Sequence, residues 1–183
     1  GQIKHAYCSF PGDNKFAINA YLNGSLALEL TPQGTLAERL RAGGAGIPAF
    51  YTPTAVGTDI HNGGFPIKYK EDGSVEIASK PRETREFNGK KYLMEEAIRG
   101  DFALIKAWKA DTRGNLVFRG TARNFNPDVA RAADVCIAEC EILVEPGELD
   151  PDEVHLSGVF VDRIVESTAT KKIERLTVSD GET

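Results

Sequence analysis

The stretch that most constrains the fold lies between residues 31 and 54 and reads TPQGTLAERLRAGGAGIPAFYTPT. It joins two apolar segments, Leu26–Leu30 and Ile47–Tyr51, through a helical pattern that starts between Gln33 and Thr35. Thr35 and Glu38 have the spacing of a capping box, in which each side chain accepts a hydrogen bond from the other residue's backbone amide. The local order is therefore strand, turn, helix, turn, strand.

The faces and the end of this helix also follow from the pattern. Leu36 and Leu40 are one turn apart and are predicted to be buried, with Arg39 and Arg41 pointing away. Glycine reaches the left-handed region without a steric penalty, so we expect glycines 43 and 44 to end the helix and glycine 46 to form a tight turn. Such a turn serves either packing or the close approach of a ligand.

The residues before this stretch repeat the same alternation. Ile3–Phe10 is predicted to be a strand and Asp13–Leu22 a helix, with Leu26–Leu30 as the next strand. Strands linked by helices pair in parallel, and the turns after them meet at one edge of the sheet. The fold class is therefore α/β, with a Rossmann-like, largely parallel sheet flanked by helices.

The middle of the chain interrupts this alternation with a β-hairpin excursion at about residues 66–94. One hairpin is centred on Asp72-Gly73 and a second on Asn88-Gly89, and both dipeptides favour tight hairpin turns. Glu95 and Glu96 are then expected to begin a surface helix. The later predicted elements are strands at Phe102–Lys109, Asn115–Arg119, Val135–Val144 and Val159–Val165, and a helix at Pro127–Ala133 capped by Asn126.

Composition excludes several classes of protein. The net charge is -5, with 22 basic and 27 acidic residues evenly mixed, so no basic stripe predicts binding to nucleic acid. No apolar run is long enough to cross a bilayer. The three cysteines have spacings that suit neither a disulfide framework nor zinc, so we predict reduced thiols, with Cys136 and Cys140 buried on one face of a strand, and no metal site.

Several longer strings resemble one family. TPQGTLAERLRAGGAGIPAFYTPT, GGFPIKY, DGSVEIASKPRETREFNGKKYLMEEAI, GDFALIKAWKAD and ARNFNPDVARAAD are similar, in order and spacing, to family I coenzyme A transferases, and within them to 3-oxoacid CoA-transferases. The resemblance covers nearly the whole chain and matches the N-terminal, or alpha, half of the family. It implies a domain at residues 1–178 with the CoA-transferase and sugar-isomerase type of fold, followed by a tail or linker at 179–183.

The resemblance also indicates which residues contact substrate. The glutamine of the family's TPQG string contacts substrate, which implicates Gln33; the alternative is that Gln33 caps its own helix. The SFPGDN string resembles a family turn with Ser9, Gly12 and Asn14 matched, although Phe10 stands where relatives often carry tyrosine. The alternative there is an ordinary helix N-terminus capped by Asp13 or Asn14. Gly43, Gly44 and Gly46 form a third predicted segment, in backbone contact with the acyl group or thioester.

No catalytic residue is predicted in this chain. The family's nucleophile is a glutamate in a Ser-Glu-Asn-Gly string of the C-terminal half or partner subunit, and that string is absent, as is the family's Gly-Gly-Phe-Gly loop. Glu29 is expected on a strand, Glu38 in the capping box, and Glu139 and Glu141 towards solvent. A solvated arginine face is expected at Arg113, Arg119 and Arg123, and a core position for Trp108.

For the whole enzyme, the resemblance implies transfer of CoA from succinyl-CoA to acetoacetate through a glutamyl-CoA thioester. Coenzyme A is then a substrate and no permanently bound cofactor is expected. The expected partner is the C-terminal (beta) half of the enzyme, and the assembly a homo-oligomer. We expect this chain to be a fragment that lacks the family's first segment and is inactive alone, located in the mitochondrial matrix if eukaryotic and in the cytoplasm if bacterial. The alternative is a non-catalytic or isomerase-type ligand-binding module on the same scaffold.

Overall fold

The computed structural model describes residues 1–169, and its first unit is a strand, a helix and a second strand. These are β1 (His5–Cys8), α1 (Lys15–Leu22) and β2 (Ala27–Leu30). The two strands pair in parallel, in a register that runs from His5 opposite Ala27 to Cys8 opposite Leu30. All three predicted elements and their parallel pairing are confirmed.

The second helix, α2 (Gln33–Gly44), begins where the sequence predicts but is not closed by a capping box. Its N-cap is Pro32, and no side chain caps it. Because the helix starts at Gln33, Thr35 already lies inside the first turn, where it is buried. The Glu38 carboxylate instead accepts two hydrogen bonds from Arg41, at 2.7 and 2.8 Å. The predicted Thr35–Glu38 box is therefore wrong.

The buried face of α2 also differs from the prediction. Arg39 does not point away as predicted, because it is only 7% exposed and its Nε donates to the Glu96 carbonyl oxygen at 2.7 Å. Gly43 and Gly44 remain helical, and of the three glycines only Gly46 has a positive φ, of 73°. The prediction that Gly43 and Gly44 end the helix in the left-handed region is wrong, because helix α2 continues through both.

The predicted hairpin excursion is confirmed. It consists of the hairpin β4 (Pro66–Tyr69) with β5 (Val75–Ala78) and the hairpin β6 (Thr84–Phe87) with β7 (Lys90–Glu96). A short helix, α3 (Asp59–Asn62), precedes them. The surface helix predicted at Glu95 and Glu96 is wrong, because both residues extend β7.

Strand β3 (Ala49–Thr52) belongs to the excursion and not to a parallel sheet. It pairs antiparallel with β7, from Ala49 opposite Glu96 to Thr52 opposite Leu93. The strand predicted at Ile47–Tyr51 thus exists, but the parallel pairing expected for it is wrong. A strand that follows a helix can pair with a hairpin arm as readily as with the strand before the helix, and the local pattern does not distinguish the two.

The longest strands build the last unit and its core. They are β8 (Gly100–Asp111) and β10 (Ala133–Val144), which pair in parallel, with β11 (Arg163–Glu166) parallel to β10 and β9 (Leu116–Val117) antiparallel to β8. Helix α4 (Asn126–Arg131) connects β8 to β10 across one face. Small and apolar side chains fill the core on that face, among them Ala103, Ile105, Ala107, Ala130, Cys136, Ala138 and Cys140.

Three local predictions for this unit need correction. The predicted strand at 159–165 is confirmed only in part, because residues 158–160 form a 3-10 helix. The N-cap of α4 is Phe125, and Asn126 instead accepts a hydrogen bond from the Lys106 amide at 3.1 Å through its side chain. Trp108, predicted in the core, is only partly buried.

At the level of the whole fold, the α/β class is confirmed and the single Rossmann-like sheet is not. The described strands form four separate sheets, and four of the seven strand pairings are antiparallel. The end of the predicted domain at 178 and the predicted tail at 179–183 lie outside the described residues. Within residues 1–169 no helix has the length and apolar character needed to span a membrane.

Candidate functional site

Two of the turns predicted to contact substrate lie side by side. The turn after β1 carries Gly12 and Asn14, and the turn after β2 carries Gln33. Parallel pairing places Cys8 opposite Leu30, and the Thr31 amide donates to the Cys8 carbonyl oxygen at 2.9 Å. The two turns therefore leave the same edge of the β1–β2 sheet, as the alternation of strands and helices predicts.

Gln33 lies on the rim of a cleft of about 450 Å³ between α2 and the segment that precedes α4. The cleft is lined by Gln33, Ala37, Asn124, Phe125 and Asp128. Gln33 is exposed, and no side chain caps α2, so the structure does not show the alternative in which Gln33 caps its own helix. Its contact with substrate stays a prediction.

The turn after β1 has a structural role that the sequence anticipated. Asn14 is the N-cap of α1, and its Oδ1 accepts from the Ala17 amide at 3.1 Å. Gly12 has a φ of 62°, and no atom lies within 4 Å of the place where a Cβ would stand. The capping alternative for Asn14 is thus confirmed, and substrate contact by Gly12 or Asn14 stays a prediction.

The three glycines at the end of α2 fall into two groups. A Cβ on Gly43 would overlap the Ile98 carbonyl oxygen, and one on Gly44 would come within 2.6 Å of the Arg131 Cβ. Next to Gly46 there is open space. Gly43 and Gly44 therefore allow α2 to pack closely on neighbouring elements, and their contact with an acyl group, like that of Gly46, stays a prediction.

A buried charge network behind the site was not predicted from the sequence. The Glu29 carboxylate lies 3.0 Å from Arg82 Nη2 and 3.8 Å from Arg39 Nη1, and Glu95 Oε1 lies 3.6 Å from Arg82 Nε. Burial raises the pKa of Glu95, and the nearby Arg82 and Arg39 guanidinium groups oppose that shift. The network joins β2, α2 and β7, so it holds the helix that begins with Gln33 against the excursion.

Other predicted features lie away from the cleft. Lys109 Nζ and Arg119 Cζ lie 4.3 and 5.4 Å from the centre of the Trp108 ring. Cys136 and Cys140 are buried free thiols, as predicted, and burial raises the pKa of Cys136 to about 11. The described residues contain no group of three or more histidine, cysteine, aspartate or glutamate side chains that could hold a metal ion.

Sequence comparison identifies the family to which the chain belongs. The model of the family described as coenzyme A transferase matches residues 1–167, and the chain belongs to this family. Among curated relatives, a mitochondrial succinyl-CoA:3-ketoacid coenzyme A transferase 2A of Mus musculus is 52% identical over 98% of this chain. The corresponding enzyme 2 of Homo sapiens is 54% identical over 97% of the chain.

Relatives differ in how much longer they are than this chain. The chain spans 35% of the mouse protein and 34% of the human protein. One subunit of the succinyl-CoA:3-ketoacid coenzyme A transferase of Xanthomonas campestris is 54% identical over 99% of this chain, which spans 68% of that subunit. The match thus falls within a single subunit of the bacterial protein.

Solved structures share the fold at low sequence identity. An acyl-CoA transferase of Escherichia coli O157:H7, solved as a thioester complex with CoA, superimposes with a TM-score of 0.76 at 23% identity, covering 94% of this chain and 34% of that one. Glutaconate coenzyme A-transferase of Acidaminococcus fermentans superimposes with a TM-score of 0.73 at 19% identity, covering 91% and 56%. These likenesses concern the fold alone.

Proposed function

We propose that the chain is the N-terminal, substrate-binding part of a 3-oxoacid CoA-transferase, which moves CoA from succinyl-CoA to acetoacetate. The names of the mammalian and bacterial relatives support this reaction, at identities of 52% and 54% over nearly the whole chain. On this proposal coenzyme A is a substrate and not a resident cofactor. No observation in the fold favours the alternative of an isomerase-type module.

The single observation that carries the proposal is the position of Gln33. Its side chain stands at the rim of the cleft, at the first residue of α2 and beside the turn after β1. A carboxamide donates two N–H groups and does not titrate, so it can hydrogen-bond an acyl oxygen at any physiological pH. Donors placed where negative charge develops stabilise the oxyanion that forms when a nucleophile attacks a thioester.

The attacking group belongs to another part of the enzyme. The Ser-Glu-Asn-Gly string that carries the family's nucleophile does not occur in this sequence. Among this chain's own glutamates, Glu29 and Glu95 are bound by arginines in the buried network and Glu38 by Arg41. The chain therefore supplies donors, and the beta half supplies the nucleophile.

Assembly and location follow from the same proposal. The beta half is the required partner, either as a separate polypeptide or within one longer chain, and the complete enzyme is a homo-oligomer. In a eukaryote the enzyme works in the mitochondrial matrix, as the word mitochondrial in the names of the mouse and human relatives suggests. In a bacterium it works in the cytoplasm.

The first test compares the chain alone with a graft. The purified 183-residue chain should form no acetoacetyl-CoA from succinyl-CoA and acetoacetate. Replacing the matching segment of the Xanthomonas subunit with these residues, and adding that enzyme's beta half, should restore transfer. Transfer by the chain alone would contradict the proposed division of labour, and an inactive but assembled graft would contradict the proposed reaction.

The second test uses the two glutamines of the chain. In the active graft, Gln33→Ala should lower kcat by roughly 10²- to 10³-fold, the usual loss on removing one oxyanion donor. Gln2→Ala is the matched control, because Gln2 is an exposed glutamine before β1. A kcat for Gln33→Ala equal to that of the control would show that Gln33 does not act as an oxyanion donor in the site.

A further inference from the structure

We propose that Arg82 is a positioning residue of the enzyme, which acts on substrate only through Gln33, by fixing the turn that carries this glutamine. The inference rests on the proposed function, because it states what places the hydrogen-bond donor of that site. It goes beyond a role in stability, because it gives the buried charge network an effect on the reaction. The network consists of Glu29, Arg39, Arg82 and Glu95.

Arg82 lies between the two hairpins of the excursion, in a segment whose backbone is held on both sides. Its amide donates to the His61 carbonyl oxygen at 3.1 Å. The Met94 amide of β7 donates to the carbonyl oxygen of the next residue, Glu83, at 2.9 Å. The side chain of Arg82 therefore extends from a fixed part of the excursion.

The Arg82 guanidinium group lies between two buried carboxylates. Its Nη2 donates to Glu29 Oε1 at 3.0 Å, and its Nε lies 3.6 Å from Glu95 Oε1, as an ion pair that is too long for a hydrogen bond. The Glu29 and Glu95 side chains are 17% and 3% exposed, so their charges are weakly screened. Burial raises the pKa of Glu95, Arg82 lowers it, and the negative charge of Glu29 raises it again. Arg82 thus stabilises two carboxylates that repel each other.

Glu29 passes this constraint on to Gln33, because only residues 30–32 separate the two in the chain. On the other side of the turn, Arg39 of α2 donates to the Glu96 carbonyl oxygen at 2.7 Å. The backbone that carries Gln33 is therefore held against the excursion both before and after this residue. Gln33 itself is exposed, so the position of its side chain depends on that backbone.

The chemistry of arginine distinguishes this role from that of a simple positive charge. Lysine keeps the charge but has no planar fork, so Arg82→Lys cannot face Glu29 and Glu95 in the same geometry. The two carboxylates keep a cation between them in this variant, which favours folding. The Gln33 turn is then expected to shift, and a displacement of about 1 Å can lower a rate by about 10²-fold.

The first measurement is ¹H–¹⁵N NMR of the 183-residue chain, with ¹⁵N at both nitrogens of glutamine. Gln2 and Gln33 are the two glutamines of the sequence, and Gln2, exposed before β1, serves as the internal reference. Arg82→Lys should shift the backbone and carboxamide signals of Gln33 and leave those of Gln2 in place. Arg163→Lys, which changes an exposed arginine of β11, is the matched control and should shift neither.

A second variant removes the other partner of the same contact. Glu29→Gln keeps the shape of the side chain and abolishes its charge, so it should shift the Gln33 signals as Arg82→Lys does. Circular dichroism confirms that each variant is folded. Unchanged Gln33 signals in a folded Arg82→Lys or Glu29→Gln chain would overturn the inference.

The second measurement is a double-mutant cycle in the active graft. Arg82→Lys should lower kcat about tenfold and leave KM within about twofold, because Gln33 is proposed to act on the transition state. In a graft that already carries Gln33→Ala, Arg82→Lys should lower kcat no further, since the group it positions is gone. A purely structural role would lower kcat by the same factor in both backgrounds. That outcome, or an unchanged kcat in Arg82→Lys, would overturn the inference.

The two measurements separate this inference from the proposed function. A graft that transfers CoA while the Gln33 signals ignore Arg82→Lys would refute the positioning role and leave the reaction intact. An inactive but assembled graft would contradict the proposed reaction, and the NMR measurement on the chain would still decide whether Arg82 fixes Gln33.

Discussion

Arg39 and Arg41 show how two identical side chains, two residues apart on one helix, acquire opposite roles. Arg39 is buried among Glu29 and the Glu96 carbonyl group, whereas Arg41 is exposed and bound to Glu38. Removing one partner of a buried ion pair leaves an uncompensated buried charge, whereas an exposed pair contributes little.

We therefore expect Arg39→Ala to lower the free energy of unfolding by about 3 kcal/mol. Arg41→Ala should leave it near that of the parent chain, since water replaces the exposed contact. Urea denaturation followed by circular dichroism measures both. Equal effects of the two substitutions would mean that the buried network does not stabilise the fold.

Glu95 gives the fold a pH dependence of unusual sign for a carboxylate. Its exposed fraction is 2%, and burial raises its pKa above the ordinary value of 4.5. Below pH 4.5 Glu95 is protonated in both the folded and unfolded chains. As the pH rises from there through the raised folded pKa, the unfolded chain loses the proton first, so stability from this residue is lost.

Glu95→Gln removes this titration. Denaturation curves recorded at successive pH values measure the free energy of unfolding of this variant and of the parent chain. The difference, variant minus parent, should rise as the pH increases from 4.5 through the raised pKa of Glu95. Glu153→Gln, an exposed control, should track the parent chain at every pH. A stability difference for Glu95→Gln that does not change with pH would show that the carboxyl group titrates normally.

At the scale of single elements, the sequence predicted correctly those features that depend on interactions between residues close together in the chain. The turn at Asn88 and Gly89 has φ values of 51° and 72°, as a hairpin with this dipeptide requires, and it lies where the sequence predicts. The capping box failed because the first turn of α2 begins at Gln33, and Thr35 is buried there by tertiary packing. The pairing partner of β3 was also mispredicted, because the sequence of a four-residue strand does not indicate which distant strand it pairs with.

Glycines within one helix should respond differently to the same substitution. In an exposed helix, Gly→Ala stabilises by up to about 1 kcal/mol, and this is expected for Gly34, where a Cβ meets open space. Gly43→Ala places the Cβ against the Ile98 carbonyl group, so we expect a loss of roughly 1–3 kcal/mol. Thermal melts of the two variants measure this, and a stabilising Gly43→Ala would mean that α2 is free to move away from the backbone at Ile98, which follows β7.

At the scale of the whole molecule, the largest sheet is covered on only one side by described residues. Phe102 and Leu104 on β8 are 66% and 76% exposed, and they stand opposite Val135 and Ile137 on β10. Parallel sheets are normally covered on both faces. An apolar surface of this kind associates with other apolar groups.

The isolated chain should therefore bind an apolar dye and self-associate. The double substitution Phe102→Ser with Leu104→Ser should reduce dye fluorescence and shift the sedimentation profile towards the monomer. Val75→Ser with Ile77→Ser, which changes two exposed residues of the β4–β5 hairpin, is the control. If the two double variants changed dye fluorescence and sedimentation equally, Phe102 and Leu104 would not form the surface through which the chain self-associates.

Only one side of the candidate cleft, the side that carries Gln33, was predicted from the sequence. Gln33 was identified because a helix begins there and because the string around it resembles a known family. Asn124, Phe125 and Asp128 were not identified as site residues, because they are far away in the chain and, although they lie in a string that resembles the family, no site role was attached to that string. What brings them to Gln33 is the packing of α4 on α2, for which the sequence offers no short-range signal.

The location of α4 has a consequence for how the cleft comes into being. The segment that carries Asn124, Phe125 and Asp128 is the crossover between β8 and β10, and parallel strands cannot be joined without such a connection. One wall of the cleft is therefore made during the same slow, long-range step that pairs the two strands. On the proposed function, the chain can therefore bind substrate at this cleft only after its main sheet has assembled.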